Sequence, residues 1–217
     1  MTTIGIIGAG EVGSQLARAT AGLGYDVVLA NSRGPETLTA LVEELGPRAR
    51  AAHAPEAAAA GDFAILAFPY RVANDLPVDE LAGKIVLDTN NYMAWRDGHL
   101  EDIDSGRKTV HELRQEQLPT SKVAKVFTHI QAPSLFRLAR PAGAPDRLAL
   151  VVSSDHPEAV ELVTGLYDQL GFDTVDNSPL SESWRSAPGT PMWHHHVDGQ
   201  NREGLVLDLS RAVHPGV

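Results

Sequence analysis

Cysteine is missing from all 217 residues, so the chain has no disulfide, no thiolate nucleophile and no Cys-ligated zinc or iron–sulfur centre. No apolar run approaches the roughly 20 residues that cross a bilayer. A strand signal begins within three residues of the N-terminus, which leaves no room for a signal or transit peptide. Positive charge is scarce: 18 Lys and Arg stand against 28 Asp and Glu, and the net charge of −10 argues against non-specific nucleic-acid binding. No Walker loop, Ser-His-Asp order or carboxylate pair at catalytic spacing stands out. A cytoplasmic protein acting on a small molecule, without nucleic-acid or membrane partners, is the expectation. The chain that remains is 43% hydrophobic and 21% charged, ordinary for a globular protein with one core or one core and a small appendage.

Strand and helix signals alternate through the first half, the pattern of a parallel sheet covered by helices. Apolar runs at residues 2–8, 26–32, 62–70, 84–92, 122–127, 148–154 and 172–177 read as strands. Helices are expected over 11–24, 35–45, 107–117 and 156–171, with a helix or turn near 71–82 and an Ala-rich helix at 57–60. The stretch 131–147 is rich in Pro and Ala and reads as irregular or partly helical. The fold class is α/β, a Rossmann-type doubly wound, mainly parallel sheet with a small C-terminal α/β extension. A soft boundary falls near 128, giving a larger nucleotide-binding part over 1–128 and a smaller part over 129–217 expected to carry the substrate pocket.

Gly8, Gly10 and Gly13 form GxGxxG between the first strand and an amphipathic helix, with Glu11 and Val12 inside the loop. Gly8 permits the tight turn, Gly10 lets a pyrophosphate reach the backbone, and Gly13 lets helix and strand pack closely. The helix N-terminus offers free N–H groups and the positive end of its dipole. On that helix Val12, Leu16, Ala19 and Leu23 share a face.

Eighteen residues beyond Gly13, the second strand ends in Asn31, Ser32 and Arg33. An NAD site places a carboxylate there to hold ribose hydroxyls, and that carboxylate would repel a 2′-phosphate. A guanidinium pairs with the phosphate bidentately instead, and Ser32 and Asn31 can donate to its other oxygens. The cofactor expected is therefore NADP(H).

Ligands of open α/β sheets lie beyond the carboxyl ends of the strands. Phe68, Pro69 and Tyr70 leave one strand there, and Asn90 and Asn91 leave the next, so both sets are expected to rim the nicotinamide end. His129 leaves the strand after those, where an imidazole could orient an acceptor or give it a proton. Residues 107–147 carry eight Lys or Arg against three acids, +5 for the segment and −15 for the rest, which reads either as a solvated face or as a wall for an anionic small molecule. His194, His195 and His196 alternate sides on an extended chain, so no metal site is expected. Leu205, Val206, Leu209 and Val213 could form the apolar stripe of a last helix, packed on the core or on a second copy in a homodimer.

The glycine loop, "NSRGPE", "FPY", "VAKVFTHI" and "PLSESWRSAPGTPMW" together resemble the NADPH-dependent coenzyme F420 reductases, to which the cytosolic dinucleotide domains of transmembrane ferric reductases are related. The resemblance runs to about residue 193. It implies hydride transfer between NADPH and a deazaflavin stacked on the nicotinamide, with coenzyme F420 as co-substrate. It implies cofactor roles for Gly8, Gly10, Gly13, Ser32, Arg33 and Pro69, and acceptor roles for His129 and Thr190. Two other readings stay open: reduction of a small imine or carbonyl compound, and NADP(H) sensing without turnover.

Overall fold

The apolar runs become strands buried on both faces, as a parallel sheet requires. A computed structural model describes residues 1–70 and 75–214. Its strands are β1 (Thr3–Ile7), β2 (Asp26–Ala30), β3 (Ala49–Ala51), β4 (Phe63–Leu66), β5 (Ile85–Asp88), β6 (Lys122–Lys125), β7 (Ala149–Ser154) and β8 (Asp173–Asp176). They form one sheet in the order β3-β2-β1-β4-β5-β6-β7-β8. The first six are parallel, β7 runs antiparallel to β6, and β8 runs parallel to β7. This is the doubly wound Rossmann arrangement, extended on one edge by two strands.

The helix Glu11–Gly22 joins β1 to β2 and buries Gly13, Leu16, Ala17, Ala19 and Thr20. The expected stripe is thus rotated: Val12 and Leu23 are 36% and 40% exposed, because Gly13 must face the sheet for the loop to close. The helix expected at 35–45 starts as a 3-10 turn, Pro35–Leu38, and continues as Thr39–Leu45. The Ala-rich patch lies in the helix Ala54–Ala60, whose buried Ala57 and Ala58 let it pack against β1. Strand β3 was not foreseen, since its three residues are half-buried or exposed and carry no pattern. The element expected near 71–82 falls partly outside the described residues; the described part holds the helix Val78–Leu81. Strands β4 and β5 stop short of the expected ends. At the latter the Asp88 carboxylate accepts from Asn90 N at 3.0 Å and turns the chain.

The seam between β6 and β7 is short, pairing only Ala124 with Ser154 and Lys125 with Ser153. Beyond it, side chains satisfy the β7 backbone. His129 Nε2 accepts from Val151 N at 2.9 Å, and the Tyr167 hydroxyl donates to Val151 O at 3.0 Å while accepting from Phe127 N at 3.1 Å. Phe127 adopts φ 56°, a left-handed conformation costing about 1–2 kcal/mol, with its ring edge-on to Tyr167. One apolar cluster runs from Ile4 and Leu29 through Val126 to Val152 and Leu166, so the core continues across residue 128.

On the opposite face of β7 and β8 the helix Arg202–Arg211 seats Leu205 and Leu209 against Val151 and Val175. Val206 and Val213 of the expected stripe are 49% and 75% exposed. Their places are taken by Asp208 and Ala212, which with Leu205 and Leu209 follow the three-and-four spacing of one helix face. Among the described residues, no helix is long and apolar enough to cross a membrane.

Candidate active site

Gly8 holds φ 106° and donates its N–H to Ala30 O at 2.8 Å, which ties the loop to the end of β2. A Cβ on Gly13 would lie 1.8 Å from Gly8 O, so only glycine lets the helix approach β1 this closely. A Cβ on Gly10 would meet nothing within 4 Å. That position faces open space, as a backbone approached by a ligand must. Gly10 caps the helix Glu11–Gly22 without a side-chain hydrogen bond, so the helix's first N–H groups stay free for an anion.

A cleft of about 460 Å³ opens in front of this loop. Gly8, Gly10, Asn31, Ser32, Arg33, Phe68 and Pro69 all line it, so the structure gathers seven of the expected cofactor residues from the ends of three strands. Ala54, Asp75, Leu76 and Pro77 also line it. Sequence reasoning missed these four, because Ala54 follows β3, which carries no pattern, and nothing fixes how far the chain travels after β4. Ser32 and Arg33 are exposed, and the Arg33 guanidinium has no carboxylate partner among the described residues. Asn31 does not offer its amide as expected. Its Nδ2 donates to Thr37 Oγ1 at 2.9 Å and its Oδ1 accepts from Arg33 N at 2.9 Å, so it shapes the lip that presents Arg33.

Other expected cofactor residues lie elsewhere. Glu11 and Val12 are exposed on the helix and line no part of the cleft. Tyr70 is buried, its ring 4.9 Å from the Arg114 guanidinium, with the Phe68 ring at 5.7 Å from the same group. Asn90 is buried too, its backbone and side-chain N–H groups both donating to Asp88. Arg114 and Asp88 form an ion pair at 3.0 Å with both side chains wholly buried. Burial works to raise the Asp88 carboxyl, but the Arg114 cation, His111 and the Asn90 hydrogen bond outweigh it and hold it below the usual carboxylate range. This buried pair thus underlies the loop that carries Phe68 and Pro69.

A second cavity, of about 390 Å³, sits beyond β5 and β6. Asn91 and Thr190 line it, with His111, Lys125, Ser183 and Trp184. Asn91 Nδ2 donates to Thr128 O at 2.6 Å, and the Thr190 hydroxyl donates to Ala187 O at 2.8 Å. Lys125 Nζ donates to Ser183 O at 2.7 Å, and burial pulls its pKa down from 10.5 to about 7. Burial likewise lowers His111 to about 3. Neither Lys125 nor His111 gave a signal in the sequence: a strand reading Lys-Val-Ala-Lys reads as solvated at its ends, and His111 is a lone histidine within the helix expected over 107–117.

His129 does not join either cavity. It is 6% exposed, its Nε2 is taken by Val151 N, and burial lowers its pKa to about 3. The ring closes the β6–β7 seam rather than facing an acceptor. Nor is the basic segment a free wall. Arg107, Lys108, Arg114, Lys122, Arg137, Arg140 and Arg147 each lie within 4.0 Å of a carboxylate, most from outside their own turn. His195 approaches Asp208 at 3.6 Å and His196 stacks on Trp193, and no group of three metal-ligating side chains occurs among the described residues.

The sheet order, the glycine loop and the Ser-Arg lip at the carboxyl edge define a dinucleotide-binding fold of the Rossmann class. The chain matches the family described as NADP oxidoreductase, coenzyme F420-dependent, over residues 3–92, the part that builds the cleft. It is 32% identical to the hypothetical protein SMa0349 of Sinorhizobium meliloti, with a TM-score of 0.72 over 88% of this chain and 93% of that one. A provisionally assigned F420-dependent NADP-reductase of Arthrobacter sp. FB24 shares the fold at 24% identity and a TM-score of 0.71, covering 84% of this chain and 87% of that one. Protein YjhV of Escherichia coli (strain K12) is 43% identical over 53 residues, which is 24% of this chain and 39% of that protein's length.

Proposed function

We propose that the protein transfers a hydride between NADP(H) and a flat anionic acceptor, the deazaflavin coenzyme F420. The observation that carries the cofactor half is Arg33, exposed on the lip of the cleft without a carboxylate partner among the described residues, at a strand end that has no acid. Ser32 and Arg33 would receive the 2′-phosphate, and the Gly8–Gly10 backbone with the helix N-terminus behind it would receive the pyrophosphate. Phe68 and Pro69 would border the nicotinamide half. NADP(H), when bound, supplies the hydride. The chain's own part is to hold the donor ring and exclude water from it, a task of position rather than of covalent chemistry.

The acceptor half is supported by the family's description and by that of the Arthrobacter protein, which names F420. It is tested by mixing the purified protein with NADPH and F420 and following both absorbances. The expected result is loss of oxidised deazaflavin matched one to one by loss of NADPH. No exchange in either direction at saturating concentrations overturns the acceptor assignment and leaves the cofactor assignment to be tested by binding.

A further inference from the structure

Seven buried side-chain polar atoms among the described residues have no hydrogen-bond partner of normal geometry, and four of them belong to Asn91, His111 and Ser183. All three residues line the 390 Å³ cavity beyond β5 and β6. They are Asn91 Oδ1, Ser183 Oγ and both ring nitrogens of His111, to which the Asn90 backbone gives only a weak favourable contact. Unpartnered groups are rare in folded chains, and a cluster of them around one space marks something left to complete.

Between them stands Lys125, 2% exposed, with one N–H spent on Ser183 O and the others not engaged among the described residues. The remaining wall is largely apolar, with Val110, Trp184 and Pro188. The volume lies in the range of small-molecule sites, about 300–1,000 Å³.

We propose that this cavity binds a small organic carboxylate with an apolar body, its oxygens received by the Lys125 ammonium and the Ser183 hydroxyl and its body lying along Trp184 and Pro188. Asn91 Oδ1 then accepts from a hydroxyl on the same molecule, and the neutral His111 ring can donate or accept. The carboxylate whose charge acts on Lys125 cannot serve in the ligand's place, because Asp88 is already held by Arg114 and Asn90. Of the other groups around the cavity, His111 and His129 are neutral, Lys108 is paired with Glu116, and the Asp104 carboxylate accepts from the Tyr92 hydroxyl and lies 2.8 Å from His99 Nδ1. This inference does not depend on which acceptor takes the hydride.

The test uses the full chain and 2-hydroxybenzoate, with its uncharged amide as control, in calorimetry in two buffers of different ionisation enthalpy. Burial keeps Lys125 mostly neutral at about pH 8 and mostly charged at about pH 6. The carboxylate should therefore bind with uptake of close to one proton at the higher pH and almost none at the lower. The amide should bind at least about tenfold more weakly. Lys125→Met should lose the carboxylate and still bind NADPH. Equal binding of acid and amide, no proton uptake at the higher pH, or no binding at millimolar concentration overturns the proposal. The proton measurement needs only the unaltered chain, so a poorly folding variant would not leave it open.

Discussion

The Arg114 guanidinium lies 3.0 Å from the Asp88 carboxylate, and neither side chain touches solvent. Phe68 and Tyr70, which follow β4, place their rings against that cation, and Phe68 also borders the dinucleotide cleft. The ion pair is thus part of the floor under the cleft where Phe68 borders it. Arg114→Met leaves a carboxylate buried without its counter-charge and should cost about 3–5 kcal/mol in urea denaturation. Asp88→Asn combined with Arg114→Met should recover much of that loss, since no net charge is then buried. A single-variant cost below about 1 kcal/mol would show that the pair is not desolvated as described.

Two glycines of one loop should fail in different ways. Gly13→Ala drives a Cβ to 1.8 Å from Gly8 O and should destabilise the whole chain by several kcal/mol, on the order of an overpacked core. Gly10→Ala meets nothing within 4 Å and should melt like the parent protein, yet lose NADPH affinity because its methyl occupies the path of the pyrophosphate. Thermal melts with and without NADPH distinguish the two. Parallel loss of stability in both variants would contradict the assignment of Gly10 to the ligand.

Acid should unfold the protein through its buried imidazoles. His129 and His111 are held near about 3 in the fold by burial, against an ordinary value of 6.5. Between those values the unfolded chain binds protons that the folded chain refuses, so these two groups make stability fall as pH drops through that window and add no pH dependence above it. Each site contributes a slope of up to about 1.4 kcal/mol per pH unit. His129→Gln can still accept from Val151 N and does not titrate, so its stability should vary with pH less steeply by one proton. An unchanged slope would mean that His129 is protonated without penalty.

The elements that define the cleft were legible because their causes are local. β1 is a continuous apolar run, GxGxxG follows it, and Arg33 stands where an acid is usual, so loop and lip could be read before any fold was known. Strand β3 was not legible, because three half-buried residues joined to a sheet edge leave no pattern. His129 was expected just beyond the strand that is β6 and lies four residues past its last residue, Lys125, but a sequence does not say which way a ring turns, and this one turns into the seam. The excess charge of residues 107–147 was also visible, whereas its pairing with Asp88, Glu158, Asp168 and Asp198 depends on chain brought in from elsewhere. Lys125 is the clearest case of concealment. Its burial follows from the packing of residues 183–190 over the end of β6, which no local signal announces.

The account depends most on the meeting of the Arg33 guanidinium with a 2′-phosphate, and paired equilibrium titrations test it directly. The parent protein should bind NADPH at least about tenfold more tightly than NADH. Arg33→Ala should weaken NADPH by one to two orders of magnitude, the range expected for loss of a charge-assisted bidentate contact, and leave NADH nearly unchanged. Equal affinity for the two cofactors in the parent, or equal loss of both in the variant, would contradict it.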